Sequence, residues 1–354
     1  MVFEIKATGR AVPPRRVSNN ELPEELDTSD EWIRSHTGIG ARHLAEENTA
    51  SSDLAVEAGR NALAMYARLE SAAGAAAAAP SDTALSEAAL SEAALSIDAI
   101  VLTSATPDFY GSPPTACIVQ EKLGAKNACA MDISAGCTGF IYALETAAGL
   151  LATGGRSRAL VIAAEVLSKF TNWNDRSSCV LFGDGAGAAI LEKSTAEGNG
   201  KKGLIRSILK ADGSGSDYIM LKRGGSRYPF KAGEKLEDPI IIELNGQAVY
   251  NFAVRTIVET ILEILSQEGI SINDISYIIP HQANARIVQA AAKRLKVPES
   301  KFYLNIEEYA NTSTASIPIA LDELYRGGKI RRGDIIMMVG FGAGLTYGAN
   351  LIVF

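Results

Sequence analysis

Apolar positions along the chain follow two alternating patterns. Short runs rich in aliphatic residues cover 99–106, 128–134, 158–167, 275–281 and 334–342, and each predicts a buried strand. Longer stretches between them, such as 139–155 and 246–265, carry apolar residues at helical spacing. Strands separated by helices predict an α/β protein whose sheets are covered.

One stretch departs from this pattern. Residues 71–96 are alanine-rich and contain a five-residue repeat that puts leucines at 85, 90 and 95. A step of five residues turns about 140° around a helix, so these leucines share no face. The reading is a solvated insertion over about 70–97, helical or disordered, with no catalytic duty.

Two distant segments share a layout. The first runs from Cys137 through a helix to Gly154-Gly155, a basic turn, an apolar strand and Phe182-Gly183-Asp184-Gly185-Ala186-Gly187. The second runs from Asn311 through a helix to Gly327-Gly328, a basic turn, an apolar strand and Gly340-Phe341-Gly342-Ala343-Gly344. From Cys137 to Gly154 is 17 positions and from Asn311 to Gly327 is 16. Two halves of related fold are expected, 1–200 and 201–354, with Asn311 holding the place in the second that Cys137 holds in the first.

Composition narrows the function classes. With 354 residues, 47% hydrophobic and 21% charged, the chain can bury a sizeable core. No apolar run approaches the roughly 18–20 residues that span a bilayer, and the N-terminus has neither a signal-peptide core nor transit-peptide character. A soluble, cytoplasmic protein without membrane attachment is expected. Cysteines 117, 129, 137 and 179 lack C-x-x-C spacing, so no metal site or redox pair is expected. A net charge of −7 argues against nucleic acid as a partner, though a local basic patch can exist beneath that average.

Three residues stand out chemically. Cys137 lies where a strand ends and small residues open a helix, in Asp132-Ile133-Ser134-Ala135-Gly136-Cys137-Thr138-Gly139-Phe140. Unpaired N–H groups there would lower the thiol pKa and donate to an oxyanion, although a small core cysteine also fits. His281 ends an apolar strand in Pro280-His281-Gln282-Ala283-Asn284, the strand end at which α/β folds bind ligands, or it caps the following helix. Asn311 opens another small polar run, Asn311-Thr312-Ser313-Thr314-Ala315-Ser316, where a helix N-cap is the plain alternative.

Together these motifs resemble the β-ketoacyl-acyl-carrier-protein synthase III family, the initiating condensing enzymes of type II fatty acid synthesis. The resemblance covers nearly the whole chain apart from about 70–97. It implies a thiolase-like, five-layer αβαβα fold of two duplicated halves, working as a homodimer. It also implies a catalytic Cys137-His281-Asn311 triad that condenses a short acyl-CoA with malonyl-acyl-carrier protein, without a metal or redox cofactor. The oxyanion hole would use the backbone N–H groups of Cys137 and Ala343. Coenzyme A would contact Thr28, Trp32, Arg176, Gly246 and Asn284, with adenine stacked between Trp32 and Arg176. His36 stands where an arginine is usual, which implies a weaker or pH-sensitive phosphate contact. Arg286, Lys293 and Arg294 on one helix would dock the acidic carrier protein. Either Phe109 or Tyr110 would cross to a partner subunit's acyl pocket, and the sequence does not separate them.

Rival readings fit less well. A degradative thiolase needs a second catalytic cysteine in the C-terminal glycine loop, and none occurs after Cys179. Elongating condensing enzymes use two histidines. A polyketide-like or other starter-unit synthase remains the nearest alternative. A papain-like hydrolase orders Cys, His and Asn the same way but lacks the repeated half. The glycines at 183, 185 and 187 precede a strand, whereas a dinucleotide fingerprint should open a helix.

Overall fold

A computed structural model describes residues 1–73, 85–194, 201–233 and 240–354. The first half contains β1 (Val2–Ala11), β2 (Arg16–Ser18), α1 (Asp30–Thr37), β3 (Ala41–His43), α2 (Ser51–Ala73), α3 (Glu87–Leu95), β4 (Ala99–Thr103) and α4 (Thr115–Leu123). It continues with β5 (Cys129–Ile133), α5 (Gly139–Ala152), β6 (Arg158–Glu165), α6 (Arg176–Cys179) and β7 (Gly185–Ser194). The second half contains β8 (Gly203–Ala211), β9 (Ile219–Leu221), β10 (Ile242–Leu244), α7 (Gly246–Glu268), β11 (Tyr277–Pro280) and α8 (Ala285–Leu295). It ends with α9 (Ile306–Tyr309), α10 (Ser316–Arg326), β12 (Ile335–Gly342) and β13 (Thr346–Val353).

Two sheets repeat one topology. The first has the order β1-β7-β6-β4-β5, with β4 parallel to both β5 and β6 and the remaining pairs antiparallel. The second has the order β11-β12-β13-β8, again with one parallel pair, β11 with β12, followed by antiparallel pairs. Where the first sheet carries β5, the second has, among the described residues, only a parallel bridge from Phe302 to Ile278.

The alternation of apolar side chains explains the layers. Along β6, Ala159, Val161 and Ala163 face the central cluster, whereas Leu160, Ile162 and Ala164 face the outer one. Along β12, Ile336 and Met338 point to the centre while Met337 and Val339 point outward. Between the sheets lie α5 and α10, so apolar that Phe140, Leu144, Ile317 and Leu321 are fully enclosed. Outside, α2, α3 and α4 cover the first sheet, and α7 and α8 cover the second. Five layers result, and the polar starts of α5 and α10 are carried into the middle of the molecule.

The alanine-rich segment is only partly the solvated insertion expected from sequence. Its residues 74–84 lie outside the described residues. Beyond them, α3 lays Ala93 and Ala94, 6% and 1% exposed, into the outer cluster beside α2. Their methyl side chains let the two helices approach closely, which solvation alone would not require. Leu95 is 42% exposed, consistent with leucines that share no face.

The halves meet backbone to backbone beside Cys137. A Cβ built on Gly342, the last residue of β12, would lie 2.5 Å from the Cys137 nitrogen. Gly342→Ala is therefore expected to lower stability by about 1–3 kcal/mol, as overpacking does, with no flexible side chain able to yield. Urea unfolding of the variant measures this. A midpoint equal to that of the parent would show that the two backbones are not in close contact.

Candidate active site

Small residues carry the chain from β5 into α5 through a tight turn at Gly136–Thr138. Gly136 adopts φ +51°, and a Cβ there would meet the Ala343 backbone at 2.7 Å, so the position requires glycine twice over. The Asp132 carboxylate accepts from the N–H groups of Thr115 and Ala116, both at 2.7 Å, capping α4 and fixing the end of β5. Cys137 is thereby held at the entrance to α5. Backbone N–H groups of Cys137 and Ala343 point at its sulfur, and the Ser313 hydroxyl donates to it at 3.3 Å.

His281 follows β11 directly. Its N–H donates to Val339 O at 2.8 Å, continuing the strand pairing, and its ring packs against Phe341 with centroids 5.1 Å apart. Its Nδ1 lies 2.8 Å from the Ser316 hydroxyl at the start of α10. Asn311 is fixed by the glycine motif before β7: its N–H donates to Leu181 O at 2.9 Å, and Gly183 N–H donates to Asn311 O at 3.1 Å. Its side-chain oxygen accepts from Ser313 N–H at 2.9 Å, which leaves the amide hydrogens for the cavity. The aspartate of that motif is structural, because buried Asp184 accepts from Ala45 and Ser168.

Cys137, His281 and Asn311 line one cavity of about 470 Å³ together with Ser313, Phe341 and Ala343. Burial there changes the electrostatics. It holds the His281 ring down to about 3, so the imidazole is neutral across the physiological range. It pushes the Cys137 thiol up to about 11, although the Ser313 hydroxyl and two backbone N–H groups act in the opposite sense. This corrects the expectation of a lowered thiol pKa. Desolvation of a thiolate outweighs the N–H groups at the helix entrance, and the resting protein carries S–H.

The remaining candidates fall into three groups. Gly246 and Asn284 line the cavity, the latter also as N-cap of α8 through Arg286 N–H at 2.9 Å. Trp32, Arg176 and Thr28 sit outside the lining, linked to its mouth where Asn284 Nδ2 donates to His36 O at 3.1 Å. Arg176 already lies over the Trp32 ring, 4.9 Å from its centroid, and donates to Asp27 O at 2.7 Å. A planar ring needs about 7 Å between its two neighbours, so the proposed sandwich is closed until the guanidinium moves. Exposed His36 also stacks on Trp32, with ring centroids 4.3 Å apart and Nδ1 on Trp32 O. Thr28 Oγ1 is buried without a partner among the described residues. Arg286, Lys293 and Arg294 are exposed along α8 and form no ion pair among the described residues.

Phe109 and Tyr110, 52% and 47% exposed, stand beside the open edge of β5 and line a second cavity. Tyr110 leans on Gly224 of its own chain. Sequence reasoning missed Glu165, a buried carboxylate beside Ser313 and Thr314, although one glutamate in an otherwise apolar strand was a signal. Ser313 and Ser316 stood inside a motif that was singled out but were given no roles.

Comparison with known proteins gives the family. Residues 131–213 match the family model described as 3-oxoacyl-[acyl-carrier-protein] synthase III, and residues 265–354 match that family's C-terminal model. The chain is 48% identical over 345 residues to a β-ketoacyl-[acyl-carrier-protein] synthase III of Clostridium perfringens, covering 97% of each. It superposes on the 3-oxoacyl-[acyl-carrier-protein] synthase III from Aquifex aeolicus with TM-score 0.82 and 37% identity, covering 99% of this chain and 100% of that one. The priming β-ketosynthase of the R1128 polyketide pathway gives TM-score 0.83 at 31% identity, covering 100% and 96%.

A ring held down to about 3 stays unprotonated well below neutrality. The NMR signals of the His281 ring are therefore expected to show no inflection between pH 5 and 8. The unfolded chain takes up a proton below about pH 6.5 that the folded one refuses, so this residue lowers stability as pH falls through that point. An inflection near 6.5 would show that the ring is wet.

Proposed function

The chain belongs to the β-ketoacyl-[acyl-carrier-protein] synthase III family, and we propose that Cys137, His281 and Asn311 carry out its reaction. The enzyme is an acyltransferase that condenses a short acyl-CoA with malonyl-acyl-carrier protein to a 3-oxoacyl-acyl-carrier protein and carbon dioxide, initiating fatty acid biosynthesis. The single observation that carries the residue assignment is the convergence of those three side chains in one apolar cavity with the backbone N–H of Ala343.

Cys137 attacks the acyl-CoA carbonyl, and a bond from its sulfur to the acyl carbon replaces the bond to the coenzyme A sulfur. The N–H groups of Cys137 and Ala343 serve the oxyanion that forms there. In the second half-reaction the malonyl thioester carbonyl accepts from Asn311 and His281 as carbon dioxide leaves. Ser316 Oγ engages Nδ1 at 2.8 Å, which leaves Nε2 for the substrate, and His281 donates there in the tautomer that carries its hydrogen on Nε2. The resulting carbanion attacks the acyl-cysteine, forming the carbon-carbon bond and releasing the sulfur. Every step is acyl transfer or decarboxylation, and no metal or redox cofactor takes part.

We assign coenzyme A contacts to Thr28, Trp32, Arg176, Gly246 and Asn284, supported by the unpartnered Thr28 hydroxyl and the Trp32-Arg176 pair at the cavity mouth. Arg286, Lys293 and Arg294 are assigned to the acidic carrier protein, because α8 starts at that mouth and carries away from it cations that form no ion pair among the described residues. We further propose a cytoplasmic homodimer, joined along the open edge of β5 with Phe109 or Tyr110 reaching the partner's acyl pocket. The fold divides into residues 1–200 and 201–354.

Mass spectrometry after incubation with a panel of acyl-CoAs is expected to find one acyl group on Cys137 and none on Cys137→Ala. Short unbranched starters are expected to load first. Exclusive loading of bulkier starters would favour a polyketide-priming role, and no adduct at all would end the assignment. Arg286→Glu is expected to raise the KM for malonyl-carrier protein about tenfold and leave that for acyl-CoA unchanged. An unaltered carrier KM would remove α8 from the docking surface.

A further inference from the structure

The two N–H groups assigned to the oxyanion come from different halves of the molecule. Cys137 N–H belongs to the turn between β5 and α5, and Ala343 N–H to the turn that joins β12 to β13. Their separation is therefore set by whatever holds one turn against the other. The tolerance is small, because both donors must reach a single oxygen at about 2.7–3.1 Å.

Close approach is built into both turns. A Cβ on Gly136 would lie 2.8 Å from Ala343 N and 2.7 Å from Ala343 O, and one on Gly342 would lie 2.5 Å from Cys137 N. Glycine permits this contact but does not hold it. The far side of the C-terminal turn is anchored within its own half, where Leu345 N–H donates to Asp212 O at 3.0 Å and Asp212 N–H donates to Leu345 O at 2.8 Å.

Across the halves, two threonines bridge the turns. The Thr346 hydroxyl faces two carbonyls, Ala135 O at 2.6 Å and Ala343 O at 3.0 Å. Its one hydrogen thus serves an acceptor from each turn. The Thr138 hydroxyl returns the link by donating to Thr346 O at 3.1 Å, and its oxygen also lies 3.1 Å from Thr346 Oγ1. Thr138 is fully buried, and Gly340 makes room for it, since a Cβ there would lie 3.2 Å from the Thr138 methyl carbon. The bridged atoms bracket both donors. Ala135 O and Thr138 Oγ1 stand on either side of Cys137, and Ala343 O belongs to the residue whose N–H is the second donor.

We propose that Thr346, paired with Thr138, is the positioning residue of the oxyanion hole: its hydroxyl fixes the spacing of two N–H donors that belong to separate halves. This deepens the condensing reading and rests on it. The hydroxyl touches neither the Cys137 sulfur nor the Trp32-Arg176 pair. Its loss therefore slows steps that build charge on a carbonyl oxygen and spares those that do not.

The test compares two reactions of Cys137, each followed by mass spectrometry of the peptide that carries it. Single-turnover acylation by acetyl-CoA places negative charge on the carbonyl oxygen. Alkylation by iodoacetamide places none: the sulfur displaces iodide from a saturated carbon, and the thiol proton goes to water. Thr346→Val keeps the shape and removes the hydroxyl. It is expected to slow acylation about 30-fold while alkylation and the Kd for coenzyme A stay within about twofold of the parent. Thr346→Ser, which keeps the hydroxyl, is expected to acylate close to the parent rate. Acylation by Thr346→Val at the parent rate would overturn the proposal. Equal slowing of acylation and alkylation would do the same, showing that the hydroxyl supports the cysteine and not the donors. A serine variant as slow as the valine one would also overturn it. Should Thr346→Val fail to fold, Thr138→Val decides by the same pair of rates. A parent protein that is alkylated at Cys137 but takes an acyl group from no acyl-CoA would instead overturn the condensing reading, and the positioning role with it.

Discussion

The Ser313 hydroxyl and the Cys137 sulfur, 3.3 Å apart, join the starts of the two helices that fill the central layer. Both helix starts are polar and both lie in the middle of the molecule. Burying unpaired polar groups costs roughly 1–3 kcal/mol each, so such a junction persists only if its groups satisfy one another. They do so: Thr314 donates to Glu165 across the two halves, and within the second half Asn311 accepts from Ser313 and Ser316 meets His281. The rest of the fold serves this meeting. Apolar faces of two sheets enclose α5 and α10, and glycines at 136 and 342 allow backbones to approach where side chains would not.

Much of this arrangement was legible in the sequence because periodicity and small-residue runs are local signals. Continuous apolar runs over β4, β6 and β12 predicted strands covered on both faces, and each is. The matched spacing after Cys137 and Asn311 pointed to duplicated topology, and the two sheets have it. Predicted strand ends ran up to three residues beyond the observed ones, because apolar residues continue into the turns that form the site.

Other features were hidden because they depend on what surrounds a residue. The helix entrance at Cys137 suggested a stabilised thiolate, but desolvation is set by neighbours distant in sequence, and it dominates. Glu165 reads as an oddity in an apolar strand until residues 105–106 and 313–314 are brought around it. The alanine repeat lacks an amphipathic face, yet two small side chains suffice to seat α3. A single net charge likewise says nothing of α8, whose cations lie together on a molecule that is acidic as a whole.

The Arg176 guanidinium resting on Trp32 gives the free protein an internal competitor for its own aromatic surface. Any flat ring that stacks there must displace a cation already in place and break its bond to the Asp27 carbonyl. The observed affinity is then the intrinsic one reduced by the fraction of molecules with the surface bare. Departure gains what arrival loses: the side chain returns to its seat as the ring leaves, and spent ligand is not held longer than turnover requires.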